Sequence, residues 1–258
     1  MLRSTPKVVI LCGGKGTRMR EHTELMPKPM VAVGEMPIIW HIMKNYYHQG
    51  FNDFVLCLGY KGQAIRNFFI NYVQNHDDIT VHPTGILRKG NPLEDWKVTL
   101  VDTGEESNTA LRLGKVVHHL QEGDIFLLTY GDGVANVDIN KLIEFHKQQG
   151  TLATITGVRA RSKYGKVKIN EKNLVNSFEE KPILDDWING GFMVFNKEFL
   201  THPLLKENIP LEKVLETLAS MNQLSLYKHD GFWHCMDTSQ DQDSLNNIWK
   251  TNPAWKIW

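Results

Sequence analysis

The chain has 258 residues, and its 29 Lys plus Arg balance 29 Asp plus Glu, so no global field draws in nucleic acid or an acidic membrane. Any anionic ligand must be held by local charge. Apolar runs such as Val8 to Cys12 and Ile125 to Leu128 are far too short to span a bilayer, and no signal-peptide h-region opens the chain, so a soluble cytoplasmic protein is expected. The three cysteines, Cys12, Cys57 and Cys235, are an odd and sparse set, two of them inside apolar runs, and are expected as free thiols.

Val8 to Cys12 reads as a buried strand that runs into Gly13-Gly14-Lys15-Gly16. Pro37 then starts a helix with Ile38, Ile39, Ile42, Met43 and Tyr46 at helical spacing, and Gly50 stops it. Phe54 to Leu58 is a second strand, ending at Gly59-Tyr60-Lys61-Gly62, and Ile65, Phe68, Phe69 and Tyr72 mark a second helix. Strand, loop and helix in alternation imply a parallel sheet. Ile79 to His82 has the pattern of a short strand, and 83–95, rich in Pro, Gly, Lys and Asp, reads as an inserted loop.

Trp96 to Val101 alternates as a strand, Asp102-Thr103-Gly104 closes it, and a helix follows with Leu111, Leu113, Val116 and Val117. Ile125 to Thr129 is another continuous apolar strand, ending at Tyr130-Gly131-Asp132-Gly133, and Asp138 reads as the N-cap of a helix through Gln149. Beyond 150 the texture changes to short strands: Ala153 to Val158, Val167 to Ile169, Val175 to Phe178 and Ile188 to Phe195. Gly190 and Gly191 inside the last of these predict a bulge or a ligand against backbone. Leu211 to Met221 is an amphipathic helix, Gln223 to Lys228 and Gly231 to Asp237 are strands, and Ser239 is read as the cap of a helix to Lys250. The expectation is one α/β domain over 1–258, with a mixed, mainly parallel sheet flanked by helices. Within it 1–150 form one half and 151–258 a smaller, more antiparallel half. Trp249, Trp255 and Trp258 at the tail are expected to dock on the body or on a second copy, and with the inserted loop they suggest a homo-oligomer.

In open α/β sheets ligands gather outside the carboxyl ends of the strands, where this chain carries GGKGTR, GYKG, DTG and YGDG. A dinucleotide fold would need a G-x-G-x-x-G turn and an acidic residue closing the second strand, which here ends at Leu58-Gly59. A G-x-x-x-x-G-K-[ST] loop is also missing. Lys15, Thr17, Arg18 and Lys28 put several cations and donors beside the first glycine loop, which is the chemistry of a phosphate site. Proline on both sides of Lys28 fixes its backbone. Asp132 and Asp237, 105 positions apart, each end an apolar run. Two carboxylates beside substrate phosphates suit Mg²⁺. His118, His119, His146, His229 and His234 make no recognisable metal spacing with Cys235.

L-x-G-G-x-G-T-R followed by P-K-P, together with YGDGV, EKP, INGGF and GFWxxMDT, resembles the sugar-phosphate nucleotidyltransferase family over nearly the whole chain. PKPM, PIIWHIMK, VTLVDTG, TYGDGV and PAWKIW resemble its cytidylyl-transferring branch. The resemblance implies CTP and a sugar 1-phosphate, most simply glucose 1-phosphate, as partners, with Mg²⁺ as cofactor. Attack on the α-phosphorus with loss of pyrophosphate is dominated by positioning and charge neutralisation. It further implies a triphosphate cradle at Gly13 to Gly16, Arg18 on the leaving pyrophosphate, Lys28 at the phosphate under attack, and metal on Asp132 and Asp237. Leu11, Gly13, Gly14, Lys15, Gly16, Thr17, Gly59 and Tyr60 would contact the nucleotide, with Thr103 and Arg112 near ribose or phosphates, although a helix arginine is ordinarily solvated. Tyr130, Glu180, Lys181, Asn189, Gly190 and Gly191 would face the sugar phosphate.

Three departures from the family pattern stand out: Cys12 where alanine is usual, His234-Cys235 before Met236-Asp237 where Gln-Pro is usual, and a more basic stretch from Val158 to Val167. They bear on the sugar more than on the reaction type and keep open a cytidylyl- or uridylyltransferase for another sugar phosphate. A non-catalytic sugar-nucleotide-binding subunit is the rival of another class. It would have no need for the full set of Arg18, Lys28, Asp132, Lys181 and Asp237.

Overall fold

A computed structural model describes residues 5–19, 23–24, 26–72, 78–82, 85–89, 94–162 and 164–258, with side chains throughout except at 18, 78–82 and 85–89. Its centre is a seven-stranded sheet of β1 (Val8–Leu11), β2 (Asp53–Leu58), β3 (Lys97–Asp102), β4 (Ile125–Tyr130), β5 (Ala153–Val158), β6 (Ile188–Asn196) and β7 (Leu224–His229), in the order β7-β5-β6-β4-β1-β2-β3. β3, β2, β1 and β4 are parallel, β6 runs antiparallel to both β4 and β5, and β7 is parallel to β5. The mixed, mainly parallel sheet expected from the alternation is therefore present.

Strand periodicity explains the layers. Along β1, Val8 and Ile10 point into one apolar cluster with Ile38, Ile42, Leu142 and Leu245, whereas Val9 and Leu11 point into the other with Leu113, Leu211 and Val214. Helices α1 (Ile38–His48), α2 (Gly62–Tyr72), α4 (Ile139–Gln149) and α6 (Ser239–Thr251) cover the first face, and α3 (Thr109–Lys115) and α5 (Leu211–Ser220) cover the second. Strands buried on both faces read as unbroken apolar runs, as β1, β2 and β4 do. The chain leaves β1 for β2 and β3 on one side and returns for β4 on the other. The carboxyl ends of β1 and β4 therefore form a switch point with an open crevice above it.

The structure corrects several boundaries. Gly85–Lys89, inside the stretch read as an inserted loop, is a strand paired antiparallel with Asp78–His82; 83–84 and 90–93 lie outside the described residues. The strand expected from Gly231 to Asp237 shortens to Trp233–Cys235, which pairs antiparallel with Gly133–Ala135, a strand too short to show in the pattern. Thr238, one residue earlier than read, caps α6: its hydroxyl accepts from Asp241 N, and the Asp241 carboxylate accepts from Thr238 N at 2.8 Å. The bulge at Gly190-Gly191 is present. Between Ile155 and Gly157 on β5 the partner on β6 moves from Met193 to Asn189. The tryptophan tail docks on its own chain, with Trp255 only 1% exposed and Trp249, Trp255 and Trp258 ringing His41 of α1.

Candidate active site

A cleft of about 300 Å³ opens at the switch point, lined on one side by Leu11, Cys12, Gly13, Gly14, Gly16 and Thr17, and on the other by Tyr130, Gly131 and Asp132. Lys28, Asp237 and the Ser107-Asn108-Thr109 turn close it. Three pieces of local structure set its geometry.

The first is the strap that carries Lys28. Pro27 and Pro29, both buried, bracket Lys28, which starts a single 3₁₀ turn closed by Met30 N to Pro27 O at 2.8 Å and Val31 N to Lys28 O at 3.0 Å. Two fixed φ angles leave the strap little freedom. A side chain on Gly131 would come within 3.0 Å of Pro29 Cγ and 3.2 Å of Leu11 O, so the absence of one lets the β4 end lie against both strap and β1.

The second is the pairing of Gly133–Ala135 with Trp233–Cys235. Cys235 stands opposite Gly133, and Met236 N donates to Asp132 O at 2.8 Å, which carries the chain register through to bring Asp132 and Asp237 side by side. Asp237 also precedes the N-terminus of α6, and its amide donates to the Asp241 carboxylate at 3.0 Å. The positive end of that helix favours a carboxylate there.

Lys28 joins the two. Its Nζ donates to Asp132 Oδ2 at 2.7 Å and to Asp237 Oδ1 at 2.6 Å, with the lysine side chain 12% exposed. Burial pulls the ammonium down, but the Asp132 charge and the hydrogen bonds to Asp132 and Asp237 outweigh it and leave its pKa above the ordinary lysine value. The group is a fixed cation at neutral pH. Potential ligand atoms of Asp132, Cys235 and Asp237 lie within 4.8 Å of one another. Burial, then the Asp132 and Asp237 charges, push the Cys235 thiol well up, so the two carboxylates are the anionic pair. Two carboxylates already bridged by a cation fit a hard divalent ion with oxygen ligands.

The third piece is Arg112. Where the sequence allowed a solvated helix arginine, the structure buries it to 2% exposure. Nη1 donates to Leu58 O at 3.1 Å, Thr103 Oγ1 at 2.8 Å and Gly104 O at 2.7 Å, and Nη2 to Gly13 O at 2.9 Å and Glu105 O at 3.1 Å. One guanidinium thus ties the loops that follow β1, β2 and β3 into a single floor. A Cβ on Gly13 or Gly59 would collide with it, which is why those turns carry glycine.

The remaining predicted residues divide. Gly14, Lys15 and Thr17 are exposed around the cleft mouth, and no amide of Gly14, Lys15 or Gly16 has a protein acceptor among the described residues, as an anion cradle requires. Lys15 pairs with Glu106 at 2.6 Å across that mouth. Tyr60 N donates to Gly13 O at 3.2 Å and supports the loop from behind. Thr103 is fully buried, its hydroxyl donating to Leu58 O at 2.6 Å, and so lies beneath the floor. Tyr130 packs its ring on Gly191, whose φ of +83° favours glycine, and donates to Glu212 Oε1 at 2.7 Å. Asn189 Oδ1 accepts from Gly191 N at 3.0 Å, and Gly190 O accepts from Trp233 Nε1 at 2.8 Å, so this wall adjoins the cleft through Tyr130. Glu180 and Lys181 are not brought in. They are exposed beyond the end of the Lys166–Ile169 and Val175–Glu179 hairpin, outside the cleft lining. The side chain of Arg18 lies outside the described residues.

Sequence reasoning missed Ser107, Asn108, Thr109 and Glu212, and marked Cys235 only as a departure from the family pattern. The Ser-Asn-Thr run before α3 is a helix-start signal and could have marked the first three. Glu212, on α5, enters through its bond from the Tyr130 hydroxyl, and Cys235 through the pairing of Trp233–Cys235 with Gly133–Ala135.

Comparison with known proteins identifies the family and the fold. The family model described as "Nucleotidyl transferase" matches residues 7–254. The chain is 42% identical over 258 residues to glucose-1-phosphate cytidylyltransferase of Salmonella typhi, covering 98% of this chain and 99% of that one. It is 30% identical over 247 residues to mannose-1-phosphate guanyltransferase of Hypocrea jecorina, covering 93% of this chain and 62% of the relative. In fold it matches the crystal structure of HddC from Yersinia pseudotuberculosis with a TM-score of 0.69 at 23% identity, covering 95% of this chain and 100% of that one.

Proposed function

Since the chain belongs to the nucleotidyl transferase family, we propose that it moves a cytidylyl group from CTP to a sugar 1-phosphate, most simply α-D-glucose 1-phosphate, giving CDP-glucose and pyrophosphate. The observation that carries the reading is the meeting of Lys28, Asp132 and Asp237 beside a glycine loop that lines an open cleft. The higher identity to the cytidylyl than to the guanylyl relative supports the choice of nucleotide.

The sugar phosphate oxygen attacks the α-phosphorus in line, the bond from that phosphorus to the bridging oxygen of the β-phosphate breaks, and pyrophosphate leaves with the electron pair. Little covalent help is needed, so the side chains act by holding and neutralising. The Gly13 to Gly16 amides cradle the triphosphate, and Arg18 is proposed for the leaving pyrophosphate on its motif position. Lys28, a permanent cation, neutralises the phosphate under attack. Asp132 and Asp237 hold a divalent cation, proposed as Mg²⁺, which when bound offsets charge on the phosphate oxygens. Tyr130, Asn189, Gly190 and Gly191 form the proposed sugar wall, and Glu180 and Lys181 are assigned to the sugar phosphate by their motif alone.

No helix among the described residues is long and apolar enough to cross a membrane, which supports a proposed cytoplasmic location. A homo-oligomer is the assembly proposed, supported by the exposed apolar face of Val167, Ile169, Val175 and Phe178. The reaction is tested by incubating the protein with Mg²⁺, each nucleoside triphosphate and a panel of sugar 1-phosphates while measuring pyrophosphate. Release with CTP and glucose 1-phosphate is expected; release with UTP or dTTP but none with CTP would sink the cytidylyl reading.

A further inference from the structure

Lys28 Nζ holds the same two carboxylates that the proposed function assigns to the divalent cation, at 2.7 Å from Asp132 Oδ2 and 2.6 Å from Asp237 Oδ1. A Mg²⁺ or Mn²⁺ bound at about 2.1 Å to either oxygen would lie within about 5 Å of that ammonium. Both cations would then share the partly buried wall of the cleft, where like charges are screened less than in bulk water. We propose that Lys28 is a displaceable placeholder for the metal: a divalent cation enters only as the ammonium leaves Asp132 and Asp237, and the phosphates of the substrates provide the acceptor that draws it away. The inference rests on the reading of Asp132 and Asp237 as the metal-holding pair.

The strap makes the exchange local. Pro27 and Pro29 fix the backbone, while the four-carbon stem of lysine can swing its ammonium several ångströms without moving the turn. Substrate phosphates entering from the glycine-loop side meet Lys28 on the lining of the same cleft. An ammonium that passes from carboxylates to phosphate frees two ligands for the metal and adds a positive charge to the phosphate under attack. Metal loading is thereby coupled to substrate loading, and the enzyme without substrate binds metal weakly. This is a coupling free energy between two ligands through one side chain.

The test is metal binding to nucleotide-free protein, with Mn²⁺ as the probe and its free fraction read by electron paramagnetic resonance. Wild type, Lys28→Met, Lys28→Gln and the double variant Lys28→Met/Asp132→Asn are compared, with circular dichroism to confirm folding. Both single variants are expected to bind Mn²⁺ about tenfold more tightly or better than wild type, and the double variant to lose that gain. Equal or weaker binding in the single variants overturns the displacement. A gain that survives Asp132→Asn overturns the assignment of metal to the carboxylates, and the placeholder with it. Pyrophosphate release from CTP by the wild type reports on the reaction separately, so loss of one reading is distinguishable from loss of the other.

Discussion

Arg112 shows how far a single residue's meaning depends on its surroundings. On a helix surface an arginine contributes little, yet here five acceptors from three loops converge on its guanidinium at 2% exposure. Burial pulls the guanidinium down from its usual pKa, while Cys57, Cys12 and the Asp102 charge act the other way. Replacing it with methionine keeps much of the volume but leaves Leu58 O, Gly104 O, Gly13 O and Glu105 O without that donor. Leu58 O, Gly13 O and Gly104 O keep donors in Thr103, Tyr60 N and Ser107 N, so the loss is that of the charge-assisted bonds and of the donor to Glu105 O, an expected net of roughly 3 kcal/mol. Urea unfolding of Arg112→Met should show that loss, together with a raised KM for the nucleotide as the three loops separate. An unchanged urea midpoint would refute the tie.

At the scale of elements, the same α6 that closes the core fixes Asp237. Thr238 and Asp241 exchange hydrogen bonds in a capping box, and the Asp241 carboxylate also accepts from Asp237 N. Thr238→Ala removes one arm of that box and should cost about 1 kcal/mol. For a chain of this size that lowers the thermal midpoint by about 2–4 °C. Because Asp237 lies next to the cap, kcat should fall as well; a calorimetric scan beside an activity assay checks both, and a fall in midpoint with kcat intact would separate the cap from the site. The sequence displayed the helix but put its cap at Ser239, since Thr238 and Ser239 are both good caps and only the bond to Asp241 distinguishes them. A similar limit governs the site. β1, β2 and β4 announce themselves as apolar runs, and the glycine loops after them follow. Gly133–Ala135 is only three residues long, too short for any period, and its partner lies a hundred positions on. The meeting of Asp132 with Asp237 was therefore legible through motif resemblance alone, Cys235 showed only as a departure from the motif, and Glu212 was not legible at all. Lys181 illustrates the converse, since its motif position marks it clearly while its place on an exposed turn keeps it outside the cleft.

The whole molecule is closed by contacts between its ends. His41 on α1 is fully buried, its Nε2 lies 2.8 Å from Val33 O, and its Nδ1 lies 3.5 Å from Trp255 Nε1, with Trp40, Trp249 and Trp258 completing the ring. A hydrogen on Nε2 suits the carbonyl and leaves Nδ1 bare toward the indole N–H, which requires neutral imidazole. Burial drives its pKa down to about 4; bonds to the Val33 and Met36 backbone act the other way, and the nearby Lys256 charge adds to the fall. With the folded value below the ordinary 6.5, the unfolded chain binds the proton first on acidification. The contribution of this histidine is thus fully present above pH 6.5 and is lost as pH falls toward 4. Over that span the loss approaches roughly 3 kcal/mol. His146 and His229 are lowered in the same direction by burial and steepen the slope. The expected outcome is a urea midpoint that drops between pH 7 and pH 5, with indole fluorescence changing in the same transition because the tail leaves with the fold. In His41→Gln, which retains a donor for Val33 O without a titrating ring, the drop should be smaller. An equally steep profile in that variant would show that the tail is not locked by a neutral His41.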